Sequence, residues 1–220
     1  MATLVKPGIT TASLDHAAEQ FMQKQGGKAA FKGYHGFPGT LCTSVNDECV
    51  HGIPGERTLA EGDIVSLDGG VIVDGLYTDA CITVPVGTIS KEAQHLLHVT
   101  KNALDAALAV LKEGVHVGDI SATIQEIVET GGCHCIPALT GHGLGTTLHQ
   151  FPDVPNVGKK RTGPVLPANT IIAIEPITSL GSSDITQDDD GWTLRTKDHS
   201  LSAHFEHTVL ITLGGYEILA

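Results

Sequence analysis

Two kinds of hydrophobic spacing divide the chain. Residues 11–25 and 119–130 mix polar and apolar positions at helical spacing. In the second stretch Ile120, Ile124, Ile127 and Val128 form an i, i+4, i+7, i+8 stripe, with Asp119 placed to cap it. The longest helix is predicted over 91–112, capped by Ser90, with Leu96, Leu97, Ala103, Leu104, Leu108 and Leu111 on its buried face. Segments 64–73, 76–86, 171–178, 192–196 and 203–213 are rich in Val, Ile and Thr and bounded by Gly or Pro, which predicts strands. Helices and strands do not alternate one for one, so a doubly wound parallel sheet is disfavoured and an α+β fold around an antiparallel sheet is expected. Residues 179–200, with Asp188-Asp189-Asp190, read as a solvated loop.

The pattern repeats once. Lys6-Pro7-Gly8-Ile9 opens a helix-like stretch that ends at Gly26-Gly27, and Lys112-Glu113-Gly114-Val115 opens another that ends at Gly131-Gly132. His35-Gly36 then matches His142-Gly143, Thr40-Leu41 matches Thr147-Leu148, and the strand ending at Asp68 matches the one ending at Glu175, each at an offset of 107 residues. One period covering half the chain indicates a duplication and not a solenoid. Two pseudo-symmetric α/β halves, about 1–88 and 89–220, are expected in a single domain.

Composition narrows the function. Lys plus Arg is 13 against 25 for Asp plus Glu, a net charge of −12 that repels phosphate backbones, so nucleic-acid binding is not expected. No apolar run approaches the ~18 residues that cross a bilayer, and the first residues lack the order of a signal peptide. Five Cys, an odd number in a chain of this size, read as reduced thiols in the cytoplasm. Twelve His beside 25 carboxylates turn attention to a metal site.

The acids supply one. Asp74-Gly75 between two strands is a strong hairpin signal. With those two residues as the loop, Asp79 falls opposite Gly70, and Asp68 shares that face because side chains alternate. The two carboxylates are then diagonal neighbours, roughly 7–8 Å apart at the backbone. The repeat maps Asp68 onto Glu175 in the second half, and the adjacent strand there carries Glu206. Four acids converging on a pseudo-twofold axis do not all stay ionised without cations between them. His142, in Gly141-His142-Gly143-Leu144-Gly145, adds an imidazole. Four carboxylates and one His suit two divalent ions of the Mn, Fe, Co or Zn kind.

Longer words carry a family resemblance. Tyr34-His35-Gly36-Phe37-Pro38, Asn46-Asp47-Glu48-Cys49-Val50-His51-Gly52-Ile53-Pro54, Asp68 with Asp79, Gly141 to Gly145, Ile174-Glu175-Pro176, and Gly191-Trp192-Thr193 through Glu206-His207-Thr208 together resemble the methionine aminopeptidases, over nearly the whole chain. The resemblance implies the duplicated pita-bread fold and removal of the N-terminal Met from nascent proteins by attack of a metal-bridging water or hydroxide. The implied setting is a cytoplasmic monomer working near the ribosome. It implies Asp68, Asp79, His142, Glu175 and Glu206 as metal ligands, Asp79 and Glu206 bridging. His51 and His149 would act on the substrate amide and carbonyl, and Glu175 would shuttle the proton. Tyr34, Phe37, Cys42, Leu148 and Trp192 would line the Met pocket. The sequence departs from the family at three points: its usual first helix is missing before Val5, Phe31 and Leu148 sit where the family often has other pocket residues, and Glu48 stands in a loop that in relatives binds a monovalent cation through backbone oxygens, as Asn46, Glu48 and Ser202 would here. The rival readings are a related Xaa-Pro peptidase and a non-catalytic binding protein of the same fold.

Overall fold

A computed structural model describes all 220 residues. The Asp74-Gly75 hairpin forms as expected: both loop residues take positive φ, 50° and 81°, the primed turn whose twist suits paired strands. Val73 lies opposite Leu76 and Gly70 opposite Asp79. This hairpin sits inside a nine-stranded sheet in the order Lys28–Ala29, Ile64–Val73, Leu76–Pro85, Glu206–Ile211, Ile171–Ile174, Thr140–Gly143, Gln150–Pro155. Cys42–Val45 also pairs with Ile64–Val73, and Tyr216–Ile218 with Glu206–Ile211. Every pairing is antiparallel.

The two halves meet where Leu76–Pro85 pairs with Glu206–Ile211, through only Glu206 opposite Cys81 and His207 opposite Ala80. On either side a threonine takes over from the ladder. Thr208 Oγ1 donates to the Asp79 carbonyl at 2.7 Å and accepts from its N–H at 2.8 Å. Thr83 Oγ1 does the same for His204, at 2.8 Å both ways. An interposed hydroxyl spans more distance than a direct N–H to carbonyl bond, so the threonines satisfy these backbone groups where the direct ladder stops.

Three helices close the outer faces: α1 (Thr11–Lys24), α2 (Lys91–Ala109) and α3 (Val117–Thr130). Helices α2 and α3 pack on the second half and form a core of 25 buried residues, among them Leu96, Leu104, Ile120, Ile124, Ile172 and Val209. In the first half, Leu14, Ala18 and Met22 of α1 cover Val65, Leu67 and Leu41. Nothing there corresponds to α2, and Phe21 and Ile82 stay 58% and 44% exposed.

Several boundaries differ from expectation. Ser90 caps α2 as predicted, accepting from Ala93 N–H, but the helix stops at Ala109 and not 112. Asp119 is not the cap of α3. The helix starts two residues earlier, and Asp119 reaches back from its third position to the His116 N–H at 3.2 Å. Strands 171–178 and 203–213 each break in two. Ile171–Ile174 stays in the large sheet, while Ile177–Ser179 joins a small sheet with Ser202–His204 and His134–Cys135. Pro176 has no N–H to continue a ladder, and its carbonyl takes the Phe205 N–H at 3.3 Å, so both strands change sheet at one level. The 179–200 insert is not merely a solvated loop. Ile185–Gln187 and Leu194–Thr196 form a hairpin that pairs with Glu48–Val50, and Arg195 binds both Asp188 and Asp47.

Replacing Thr208 by Val keeps the shape but leaves the buried Asp79 N–H and carbonyl without partners. The expected outcome is a loss of about 1–3 kcal/mol in stability, read from urea unfolding midpoints; an unchanged midpoint would show that the threonine clamps do not hold the seam.

Candidate metal centre

In an antiparallel sheet, residues directly opposite share a face, as do residues two apart on one strand. Asp68 lies opposite Cys81, and Cys81 lies opposite Glu206. Asp79 is two residues before Cys81. Ala173 lies opposite both Thr208 and His142, and Glu175 follows Ala173 by two. The four carboxylates and His142 therefore project from one face of the five central strands. All five are buried: Glu206 is 2% exposed, Asp79 5%, His142 7%, Asp68 8% and Glu175 9%. Ligating atoms of Asp79, His142 and Glu206 come within 4.8 Å of one another.

No cation of the chain reaches this cluster. Burial drives the Asp68 carboxyl up to about 7. Burial, then the neighbouring carboxylates, push Asp79, Glu175 and Glu206 well above the ordinary range. The same causes hold the thiols of Cys42 and Cys81 protonated. Asp68 Oδ1, Asp79 Oδ1 and Glu206 Oε1 are buried with no hydrogen-bond partner, an arrangement that native proteins rarely leave uncompensated. His142 donates its Nδ1–H to the Gly143 carbonyl at 2.9 Å, which leaves Nε2 as a lone pair 3.6 Å from Glu175 Oε1. Orphaned carboxylate oxygens beside a neutral imidazole nitrogen are a donor set that fits divalent cations.

A cavity of about 320 Å³ opens on this face, and every residue named from the sequence as divalent-metal ligand, catalytic group or Met-pocket lining borders it. Cys42, directly opposite Asp68, joins Phe31, Phe37 and Leu148 in an apolar cluster beside the acids. Trp192 packs edge-on against Phe37 at 5.1 Å and is set by Asp190, which accepts its N–H at 2.8 Å. His51 stands at the mouth with positive φ, its ring 6.4 Å from that of Trp192. His149 lies with its ring 4.3 Å from His142. Tyr34 contacts more than the pocket: its hydroxyl lies 2.9 Å from His149 Nδ1. Partial burial, then the neighbouring imidazoles, hold His149 down to about 4, so it is neutral at pH 7.

The loop expected to hold a monovalent cation is internally partnered. Glu48 accepts from Val45 N–H and binds Arg57 at 2.6 Å. Asn46 bonds Asp63 and Ile64, and Ser202 Oγ donates to the Thr178 carbonyl. These contacts engage the side chains, whereas the expected cation would bind backbone oxygens, of which the Asn46 carbonyl accepts the Ser202 N–H at 2.8 Å. The cavity is also lined by His35, Val50 and His204, which the sequence reading did not assign to the site, and Cys81 shares the sheet face of the acids. Cys81 follows Asp79 by two on one strand, a signal that alternation alone carries. His204 precedes Glu206 by two but belongs to the strand before it, Ser202–His204.

Comparisons with known proteins agree with this picture. The chain matches the Metallopeptidase family M24 over residues 1–213. It is 45% identical over 215 residues to methionine aminopeptidase of Clostridium perfringens (strain 13 / Type A), covering 98% of this chain and 86% of that one. It is 44% identical over 215 residues to methionine aminopeptidase 1 of Bacillus subtilis (strain 168), with 98% and 87% covered. The crystal structure of methionine aminopeptidase from Thermotoga maritima superposes with a TM-score of 0.98 at 42% identity, over 99% of this chain and 88% of that one. The prolidase from Pyrococcus furiosus superposes at 0.77 with 21% identity, over 100% and 58%, which is a likeness of fold alone.

The raised carboxyls set a pH dependence. Unfolded, they titrate near 4; folded without ions, Asp68 titrates at about 7. The folded chain then holds more protons between those values, so stability falls as pH rises through about 4 to 7. Thermal melts of chelator-treated protein are expected to show a falling Tm over this window. Asp79→Asn should flatten the slope, and saturating Mn(II) at pH 7.5 should restore several degrees or more. A Tm indifferent to pH and to Mn(II) would reject the site.

Proposed function

The chain belongs to metallopeptidase family M24, and on that premise we propose that it releases the N-terminal Met from peptides and nascent proteins. Its fold is the pita-bread fold of that family. The observation that carries the reading is that four buried carboxylates and His142 line one cavity of about 320 Å³ together with the apolar cluster of Phe31, Phe37, Cys42 and Leu148. Asp68, Asp79, His142, Glu175 and Glu206 would hold two divalent ions. Mn, Fe, Co and Zn all suit this oxygen-rich set with one nitrogen. When bound, such ions supply Lewis acidity, activating water near neutral pH and polarising the scissile carbonyl.

The chain's own residues supply the rest. Glu175, at the edge of the row, takes a proton from the attacking water and passes it to the leaving amine. Tyr34 donates to His149 Nδ1, the direction a phenol and an imidazole favour, and so keeps the His149 proton on Nε2. That N–H donates to the carbonyl oxygen as negative charge develops there. His51 hydrogen-bonds the peptide near the scissile amide at the mouth. The Met side chain lies against Phe37, Cys42, Leu148 and Trp192, with Phe31 narrowing the floor. Five free thiols support a reducing cytoplasmic setting, where the enzyme meets nascent chains near the ribosome as a monomer.

A substrate panel separates this reading from an Xaa-Pro peptidase, which the fold alone would permit. Met-Ala-Ser and Met-Gly peptides are expected to lose Met when Mn(II), Co(II) or Fe(II) is added, and to stay intact with chelator. Release from Xaa-Pro peptides alone, or release indifferent to chelator, would overturn it.

Replacing His149 by Ala should lower kcat about 10²–10³-fold, the usual cost of losing one oxyanion donor. Tyr34→Phe should give a smaller loss in kcat with little change in KM. Full activity in His149→Ala would remove it from the mechanism.

A further inference from the structure

His204 is nearly fully buried, and neither of its ring nitrogens has a hydrogen-bond partner. It sits at the corner where its strand changes sheets. In the small sheet it lies opposite Ile177, two residues past Glu175, and it precedes Glu206 by two. Thr83 fixes its backbone by both N–H and carbonyl. The side chain is thereby aimed between the two glutamates. Nε2 lies 3.7 Å from Glu175 Oε2 and 3.6 Å from Glu206 Oε2, a few tenths of an ångström beyond hydrogen-bond reach.

The carboxylate oxygens divide into two sets. Glu175 Oε1 faces His142 Nε2 at 3.6 Å, and Glu206 Oε1 is buried without a partner. The two Oε2 atoms face His204. Glu175 therefore turns one oxygen to His142 and the other to His204, while Glu206 turns one oxygen to the same imidazole of His204 and keeps the other buried without a partner. The two histidines flanking Glu175 also differ. The Gly143 carbonyl fixes the proton of His142 on Nδ1, leaving Nε2 a lone pair. Nothing near Nδ1 of His204 accepts a proton, while two carboxylate oxygens stand at Nε2.

We infer that His204 is a positioning residue: its Nε2–H is shared between Glu175 Oε2 and Glu206 Oε2 and orients both carboxylates, so that their Oε1 atoms face a divalent cation. The inference rests on the metal-centre reading above and adds a residue outside the ligand set. Outer hydrogen bonds of this kind fix the direction and basicity of ligating carboxylates, and their removal costs 10–100-fold in metal affinity.

The test uses the full chain, stripped with chelator and titrated with Mn(II) by calorimetry and with Co(II) by absorption. His204→Leu removes both nitrogens at similar volume, and His204→Gln keeps an N–H donor. The expected result is 10–100-fold weaker binding in His204→Leu, recovery to within a few-fold of wild type in His204→Gln, and Co(II) bands at the same positions in all three proteins. Wild-type affinity in His204→Leu would overturn the inference. So would a His204→Gln variant as weak as Leu with shifted Co(II) bands, since His204 would then be a ligand itself. Should the Leu variant fail to fold, ¹⁵N-histidine spectra of the metal-loaded wild type decide: a proton on Nε2 is expected, and one on Nδ1 contradicts it. A wild-type chain that binds no divalent ion would overturn the metal-centre reading as a whole, whereas normal wild-type binding with no loss in His204→Leu removes His204 alone.

Discussion

Four carboxyl groups share one desolvated pocket, and no lysine or arginine comes near them. Like charges so confined raise one another's pKa and strain the fold when they ionise. This cost is built into the sheet, because Asp68 and Glu206 lie on strands whose opposite faces bury Val65 and Leu67, and Val209 and Ile211, and the Asp79 strand is paired to both. Moving any one of them would require slipping a strand by a residue, which turns its apolar side chains to water. The cluster is thus kept by the packing behind it, including the core that α2 and α3 form under the Glu175 and Glu206 strands.

The seam between the halves is only lightly bridged. A direct ladder of full length would draw the two central strands together at every residue. Here only two residue pairs bridge them, and Thr83 and Thr208 carry the load on either side. Strand breaks at Glu175-Pro176 and Phe205 then let both second-half acids stand where strands leave the sheet. Function and topology are joined at these corners, since the residues that end the ladder are the ones whose side chains face the cavity.

Much of this was legible in the chain. The Asp74-Gly75 turn set Asp79 opposite Gly70, diagonal to Asp68, because a two-residue loop leaves one register open. The 107-residue offset led from Asp68 to Glu175 without any fold in hand. What stayed hidden depended on contacts distant in sequence. Pro176 marks a break, but the sheet that receives Ile177 is decided by Ser202–His204 and His134–Cys135. The insert after 179 looked solvated because its three aspartates are charged, yet Asp188 finds Arg195, and Arg195 finds Asp47, 148 residues away. The Tyr34 hydroxyl reads as pocket lining until its partner, His149, is placed beside it.

The duplication is not chemically even-handed. The first half lends the row only oxygen, from Asp68 and Asp79, with protonated thiols behind them. The second half lends oxygen together with the imidazoles of His142 and His204. One half accordingly offers only oxygen and the other oxygen and nitrogen, a difference to which cations of unlike hardness respond. A fold born of symmetry has in this way acquired polarity: its two halves bring unlike donors to the same cavity.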